Sequence, residues 1–125
     1  MKKVIYTENA PKAIGPYSQA IEKNGQLFIS GQVPVDPVTS KVVEGGIAEQ
    51  SMQVMKNIEA ILKQAGYSFA DVVKSTCLLS DMANFAGMNE VYAQFYPENP
   101  PARAAFAVKE LPLGVLVEIE TLAIK

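Results

Sequence analysis

The chain has 125 residues and a formal net charge of −2, with 49% hydrophobic and 19% charged residues. This length predicts one domain spanning residues 1–125, and the composition is typical of a globular protein rather than a disordered one. The sequence has no histidine, which excludes imidazole acid–base catalysis and histidine-ligated metal sites. Its one cysteine excludes an intrachain disulfide.

The same composition predicts the setting of the protein. The acidic balance gives no electrostatic reason to bind nucleic acid or an anionic membrane. The N-terminal segment has two lysines but no apolar stretch that would make it a secretory signal. No apolar run approaches membrane-spanning length. We therefore expect a cytoplasmic protein without a bound metal or cofactor.

The N-terminal quarter of the chain predicts three strands. They are Val4–Tyr6, Ser18–Lys23 and Leu27–Gly31. The last two flank Asn24-Gly25, a pair that tolerates the positive φ angles of a type I′ hairpin turn. Prolines and glycines predict a loop at residues 10–16 and a loop-rich segment at residues 33–46.

Two helices follow. An apolar stripe with helical spacing predicts a helix over Ile47–Ala65, and Gly66 is a suitable residue to end it. Asp81 is placed to cap a second helix, which runs through Phe95 and which Pro97 stops. The stripe on the first helix predicts core packing rather than a cofactor groove.

The remaining strands are predicted at Val72–Leu79, Ala102–Val108 and Val115–Ile124. The order βββαβαββ predicts an α/β (α+β) fold, a mixed six-stranded sheet with two helices on one face. The other face has few charges to solvate it, so we expect it to pack against other copies of the chain. The sequence leaves open whether the last two strands are neighbours.

Arg103 follows Pro100-Pro101 and is flanked by Ala102, Ala104 and Ala105. A guanidinium among small apolar residues needs a partner wherever it is buried. The simplest interpretation is an exposed or salt-bridged arginine. The functional alternative is a clamp on a substrate carboxylate, because the planar guanidinium matches the geometry of a carboxylate.

Glu118 and Glu120 lie two residues apart in an otherwise apolar strand, so they share one face of the sheet with Leu116 and Leu122. One interpretation is a solvated edge or a set of ion pairs at an interface. The other is a general acid or base whose pKa is raised by burial. The strand pattern alone leaves both interpretations open.

Four further positions have simple structural interpretations. Tyr17, at a loop-to-strand junction, suits packing in a core or an interface, and Cys77 suits a buried structural thiol. Ser30-Gly31 is typical of a strand end with its turn. Asn89 alone indicates no function.

Five separated motifs nevertheless occur in one order along the chain. They are Ile14-Gly15-Pro16-Tyr17, Ser30-Gly31-Gln32, Asn89-Glu90-Val91-Tyr92, Pro101-Ala102-Arg103 and Val117-Glu118-Ile119-Glu120. Together they closely resemble the Rid family, RidA/YjgF subgroup, from about Thr7 to Ala123. Proteins of that family are 2-iminobutanoate/2-iminopropanoate deaminases.

The resemblance implies a chorismate-mutase-like fold and a homotrimer with clefts between subunits. It implies that Arg103 binds the substrate carboxylate and that Glu118 positions or activates the attacking water. It further implies that Tyr17, Ser30 and Asn89 line the cleft, and that the Gly31 amide and the Ala105 carbonyl contact the substrate. Many family members have Ser/Thr-Cys after Pro-Ala-Arg, where this chain has Ala104-Ala105. Redox roles tied to that cysteine are therefore not expected.

Three other functions remain open at the level of sequence. A trimeric small-molecule-binding or regulatory protein could use the same cleft without turnover. RNA binding or ribonuclease activity is also attached to this family, but the acidic charge and the missing histidine disfavour it. Chorismate mutase activity is suggested by fold alone, which is weak support.

Overall fold

The computed structural model describes residues 1–125 as two α-helices and a six-stranded mixed sheet, with a separate short hairpin. The strands are β1 (Lys3–Ile5), β2 (Ala20–Lys23), β3 (Gln26–Gln32), β4 (Val35–Asp36), β5 (Lys41–Val42), β6 (Val72–Leu79), β7 (Ala102–Ala107) and β8 (Val117–Ile124); the helices are α1 (Ile47–Ala65) and α2 (Phe85–Phe95). The sheet order is β1-β2-β3-β8-β6-β7. The predicted fold class is confirmed, and the six strands of the main sheet and the two helices follow the predicted order.

Local backbone chemistry explains two of the element boundaries. Asn24 and Gly25 have φ angles of 52° and 76°, as a type I′ turn between β2 and β3 requires. Gly66 ends α1 with a φ of 81°, and its N–H donates to backbone carbonyls of the last helical turn.

The structure differs from the sequence prediction in two places, and it settles the position of the last two strands, which the sequence leaves open. The segment 33–46 contains the hairpin of β4 and β5, whose two-residue strands are too short to produce an alternating pattern. Asp81 caps a short 3₁₀-helix, Met82–Asn84, which leads into α2. The last two strands are not neighbours, because β6 lies between them, parallel to β7 and antiparallel to β8.

The core lies between the helices and one face of the sheet. Alternate residues of β3, β6 and β8 are buried there with the apolar stripes of α1 and α2. Cys77 is fully buried within this core, and burial raises the pKa of its thiol to about 11. The prediction of a structural thiol is therefore confirmed.

The opposite face of the sheet, here called the open face, carries no helix and presents an apolar row. Val4, Ile21, Phe28 and Leu122 are successive register partners across β1, β2, β3 and β8. Phe28 is 48% exposed, although large aromatic side chains are normally removed from water. A contiguous apolar patch of this kind is typical of a surface that another protein covers.

No helix of the structure is both long enough and apolar enough to cross a membrane.

A fully buried amide fixes the segment that leaves β3. The Asn57 side chain of α1 donates from Nδ2 to the Val33 carbonyl at 3.1 Å and to the Val35 carbonyl at 3.0 Å. Its Oδ1 accepts from Gln53 Nε2 at 2.8 Å. The Val33 carbonyl also accepts from the Val35 N–H at 2.8 Å, so the amide is a second donor there, and its bonds hold the chain beyond Gly31 against the helix.

Replacing this amide tests its structural role. We expect Asn57→Leu to lower the free energy of unfolding by about 2–3 kcal/mol, because both amide bonds to the backbone are lost and the Gln53 side chain loses its acceptor. Lys56→Ala, an exposed neighbour on the same helix, should change it by about 0.5 kcal/mol or less. Urea denaturation of both variants provides the measurement. Equal stabilities would show that water replaces the amide.

Candidate active site

Arg103 and Glu118 lie on opposite faces of the sheet. β6 separates their strands, with Ser75 paired to Arg103 and Leu78 paired to Glu118. Paired residues point to the same face, whereas residues three positions apart on one strand point to opposite faces. Ser75 is buried under the helices, so Arg103 lies on the helix side and Glu118 on the open face. The backbone layer of the sheet therefore separates the two side chains within one chain.

The Arg103 half-site is formed by β7, the edge strand, and α2. Nη1 of Arg103 donates to Asn89 Oδ1 at 2.7 Å. The guanidinium carbon lies 5.0 Å from the ring centroid of Tyr92 and 5.4 Å from that of Phe85. Arg103, Asn89 and Tyr92 line an open cleft of about 450 Å³, together with Pro100 and Pro101. The half-site presents a cation at a partly buried surface.

The Glu118 half-site is formed on the open face by β3, β8 and two loops. Its open cleft measures about 420 Å³, and its polar lining consists of Tyr17, Ser30, Gly31, Glu118 and Glu120. Gly31 lies where the register between β3 and β8 shifts, and a Cβ there would overlap Glu118 Oε2. Glycine at this position lets the carboxylate rest directly on the backbone.

Ser30 and Tyr17 are linked through the turn that precedes β2. The Tyr17 N–H donates to the Gly15 carbonyl at 2.8 Å, which closes a three-residue turn around Pro16. The Ser30 hydroxyl donates to the Ser18 carbonyl at 2.6 Å and anchors this turn beside Glu118. Because its proton is engaged there, the Ser30 oxygen can offer a ligand only its lone pairs.

Electrostatics distinguish Glu118 from an ordinary surface carboxylate. Burial raises the pKa of Glu118 above its usual value, and the neighbouring Glu120 carboxylate raises it further. The only other titratable side chain in the cleft is Tyr17. A carboxylate that is harder to ionise is also a stronger base once ionised, so this group is suited to accept a proton.

The structure thus divides the residues predicted from sequence into two groups. Tyr17, Ser30 and Gly31 lie with Glu118. Asn89 lies with Arg103, and Ala105, two residues along β7, points to the same helix side because it pairs with the buried Cys77. No predicted residue lies apart from both half-sites.

Sequence reasoning missed several residues that line these clefts. Ile14 and Leu113, 78% and 63% exposed, form apolar walls beside Glu118. Leu113 has a φ of 60°, which nothing in Leu111-Pro112-Leu113-Gly114 indicates. On α2, Phe85 and Tyr92 occur at the spacing of core residues. Together with Asn89 they occupy positions i, i+4 and i+7, and only this common helical face could have indicated that all three contact one group.

Comparison with known proteins identifies the family of this chain. The family profile described as Endoribonuclease L-PSP matches residues 7–125. The chain belongs to this family. A RutC family protein of Pyrococcus horikoshii is 58% identical over 125 residues, covering 100% of this chain and 99% of that protein. A human protein named 2-iminobutanoate/2-iminopropanoate deaminase is 48% identical over 125 residues, covering 100% of this chain and 91% of the relative.

Solved structures of the same family have the same fold. A Yersinia pestis protein described as a member of the conserved Rid protein family superposes with a TM-score of 0.97. It is 47% identical, and the match covers 100% of both chains. The resemblance to the Rid family is therefore confirmed, together with the mixed sheet and its two helices.

The second carboxylate of this family member provides a test of the electrostatics. Glu120→Gln removes one negative charge from the cleft, so the pKa of Glu118 should fall. The fall should be smaller than the rise that burial causes, because burial is the larger cause of the shift. A ¹³C NMR titration of the side-chain carboxyls measures this change. A pKa that is unaltered in the variant would contradict the interaction between the two groups.

Proposed function

We propose that the protein hydrolyses reactive 2-imino acids, such as 2-iminopropanoate and 2-iminobutanoate, to 2-keto acids and ammonia. These imines form from the enamines that pyridoxal-phosphate-dependent dehydratases release. The observation that carries the proposal is the complementarity of the half-sites, one with a cation suited to a carboxylate and one with a carboxylate of raised pKa. The name of the human relative, which aligns over the full length of the chain, supports it. The cytoplasm is the proposed setting.

Arg103 binds and orients the substrate. Its guanidinium forms two parallel hydrogen bonds with the substrate carboxylate, while Asn89 holds Nη1 from behind. Tyr17 and Ser30 line the opposite wall of the cleft. The Gly31 amide and the Ala105 carbonyl contact the substrate through backbone atoms, so the alanine side chain at 105 is compatible with the reaction.

Glu118 directs water at C2 of the imine. The carboxylate accepts a proton as the water oxygen bonds to C2, and the electrons of the C=N bond move to nitrogen. Glu118 returns that proton to nitrogen, which gives a neutral amino alcohol. The hydroxyl proton of this intermediate then passes through Glu118 to nitrogen, so that the C–N bond breaks, ammonia leaves and the 2-keto acid remains. The imine carbon is already electrophilic, so placement of water and one base supply what the step needs.

The proposed assembly is a homotrimer with the site between subunits. The sheet separates Arg103 from Glu118 within one chain, so a complete site needs Arg103 from one subunit and Glu118 from the next. The apolar row on the open face supplies a surface that such an assembly would cover.

A binding or regulatory protein without turnover is the main alternative. The same cation would hold 2-keto acids or related carboxylates, and the raised pKa of Glu118 would then have no use. The second alternative is endoribonuclease activity, which the family description names. The net charge of −2 and the missing histidine disfavour it. Incubation with RNA beside the imine assay separates these possibilities.

Turnover of a freshly generated imine tests the proposal. An amino-acid oxidase produces the imine, semicarbazide competes for it, and the protein should suppress formation of the semicarbazone. The 2-keto acid and ammonia should accumulate instead. A protein that binds 2-ketobutyrate but leaves the semicarbazone yield unchanged would support the binding alternative.

Two variants separate the roles of the charged residues. Arg103→Lys keeps the charge but loses the planar fork, so kcat/KM should fall about ten- to a hundredfold and 2-ketobutyrate should bind more weakly. Glu118→Gln removes the base and a negative charge, so kcat should fall while affinity for 2-ketobutyrate is unchanged or higher. Titration calorimetry beside the imine assay measures both. The opposite pattern would reverse the assigned roles.

Light scattering tests the assembly. The protein should have about three times the chain mass of 13.5 kDa. Phe28→Asp places a charge in the apolar row and should dissociate the trimer. Val38→Asp, a loop residue that is 90% exposed, is the matched control and should leave the mass unchanged. A monomeric wild-type protein at micromolar concentration would contradict the shared site.

A further inference from the structure

One face of α2 surrounds the guanidinium of Arg103. Phe85, Asn89 and Tyr92 follow one another at i, i+4 and i+7, so their side chains form a single stripe. The rings of Phe85 and Tyr92 lie 5.4 Å and 5.0 Å from the guanidinium carbon, within the range of cation–π attraction. The Asn89 oxygen lies at 2.7 Å from Nη1. Two rings and one amide thus contact the cation.

The strand that carries Arg103 provides little lateral support for its side chain. The residues around it are Ala102, Ala104 and Ala105, whose methyl groups are too short to hold a long flexible side chain. β7 is also the edge strand, with a neighbour on one side only. The orientation of the guanidinium therefore depends on α2.

None of the α2 side chains that contact the Arg103 guanidinium has a formal charge. A carboxylate partner would fix Arg103 equally well, but it would neutralise the charge and compete with an anionic ligand. Aromatic faces attract a cation without neutralising it, and a neutral amide oxygen accepts a hydrogen bond from it without adding a negative charge. The arginine is held while its charge remains available.

Tyr92 is itself held rigidly. It is buried, and burial raises the pKa of its hydroxyl, which lies close to the hydroxyls of Ser75 and Tyr96. Its ring packs at 4.8 Å from that of Tyr96, which packs edge-on at 5.3 Å against Phe69. Ser75 is the register partner of Arg103 on β6. The ring beside the guanidinium is thus held by packing within an aromatic cluster.

We propose that Phe85 and Tyr92 are positioning residues for carboxylate recognition. Their rings form an uncharged aromatic cradle that orients the Arg103 guanidinium and leaves its charge for the substrate. This inference rests on the proposed function of Arg103. It predicts that substrate affinity depends on the two rings and not on the hydroxyl of Tyr92.

Paired substitutions test the cradle. Phe85→Leu and Tyr92→Leu remove a ring, so affinity for 2-ketobutyrate should fall about 3- to 30-fold and KM for the imine should rise, with kcat nearly unchanged. Tyr92→Phe and Phe85→Tyr keep the rings and should retain wild-type affinity within about threefold. Calorimetry and the imine assay provide the values.

Phe95→Leu is the matched control for loss of a ring. Phe95 lies on the same helix and packs 5.3 Å from Phe69, and it is not one of the rings within cation–π distance of Arg103, so its loss should affect stability without affecting 2-ketobutyrate binding. If Tyr92→Leu does not fold, the partly buried Phe85 provides the same comparison. Leucine variants that bind like wild type, or an equal loss in Phe95→Leu, would overturn the cradle.

Arg103→Ala keeps this test distinct from the test of the proposed function. If wild type and Arg103→Ala bind 2-ketobutyrate equally, the role of Arg103 is wrong, whatever the rings do. ¹⁵N NMR then tests the cradle without any ligand. Hindered rotation of the Arg103 guanidinium in wild type, and faster rotation in Phe85→Leu but not in Phe95→Leu, would support it. Equal rotation in all three proteins would overturn it.

Discussion

The alternation of side chains across a β-strand is the constraint on which the rest of this structure depends. Arg103 pairs with Ser75 and Glu118 with Leu78, and these two positions of β6 face opposite sides of the sheet. A shift of one residue in either register would bring both charges to the same face. In the observed register, each chain carries two half-sites that do not meet, which makes association a condition for the proposed chemistry.

Each half-site keeps its charge without an opposite charge from its own chain. Arg103 is held by two rings and an amide, and Glu118 lies beside a second carboxylate and is partly buried. In the proposed trimer these unmatched charges approach one another across the subunit boundary. A nearby cation would lower the cost of ionising Glu118, which favours association, whereas the charge of Arg103 attracts the anionic substrate.

Local chemistry explains why much of the fold is predictable. The apolar stripe of Ile47–Ala65 and the Asn24-Gly25 turn depend on neighbouring residues only, and both were found where expected. The insertion of β6 between β7 and β8 depends on pairings between distant segments, which no local pattern contains. For the same reason the motifs indicated Arg103 and Glu118, but not that the sheet separates them. Phe85 and Tyr92 were indistinguishable from core residues, because a ring against a cation has the same helical spacing as a ring against the core.

The central claim is that one active site is built from two subunits, and mixing two inactive variants tests it most directly. Arg103→Ala and Glu118→Gln chains are co-expressed with different tags, and mixed trimers are purified through both tags. Each variant alone should be nearly inactive. Every trimer that contains both variants has an intact Arg103 beside an intact Glu118 at one of its three interfaces, so about a third of wild-type imine hydrolysis should return. Mixed trimers no more active than the separate variants would contradict the account.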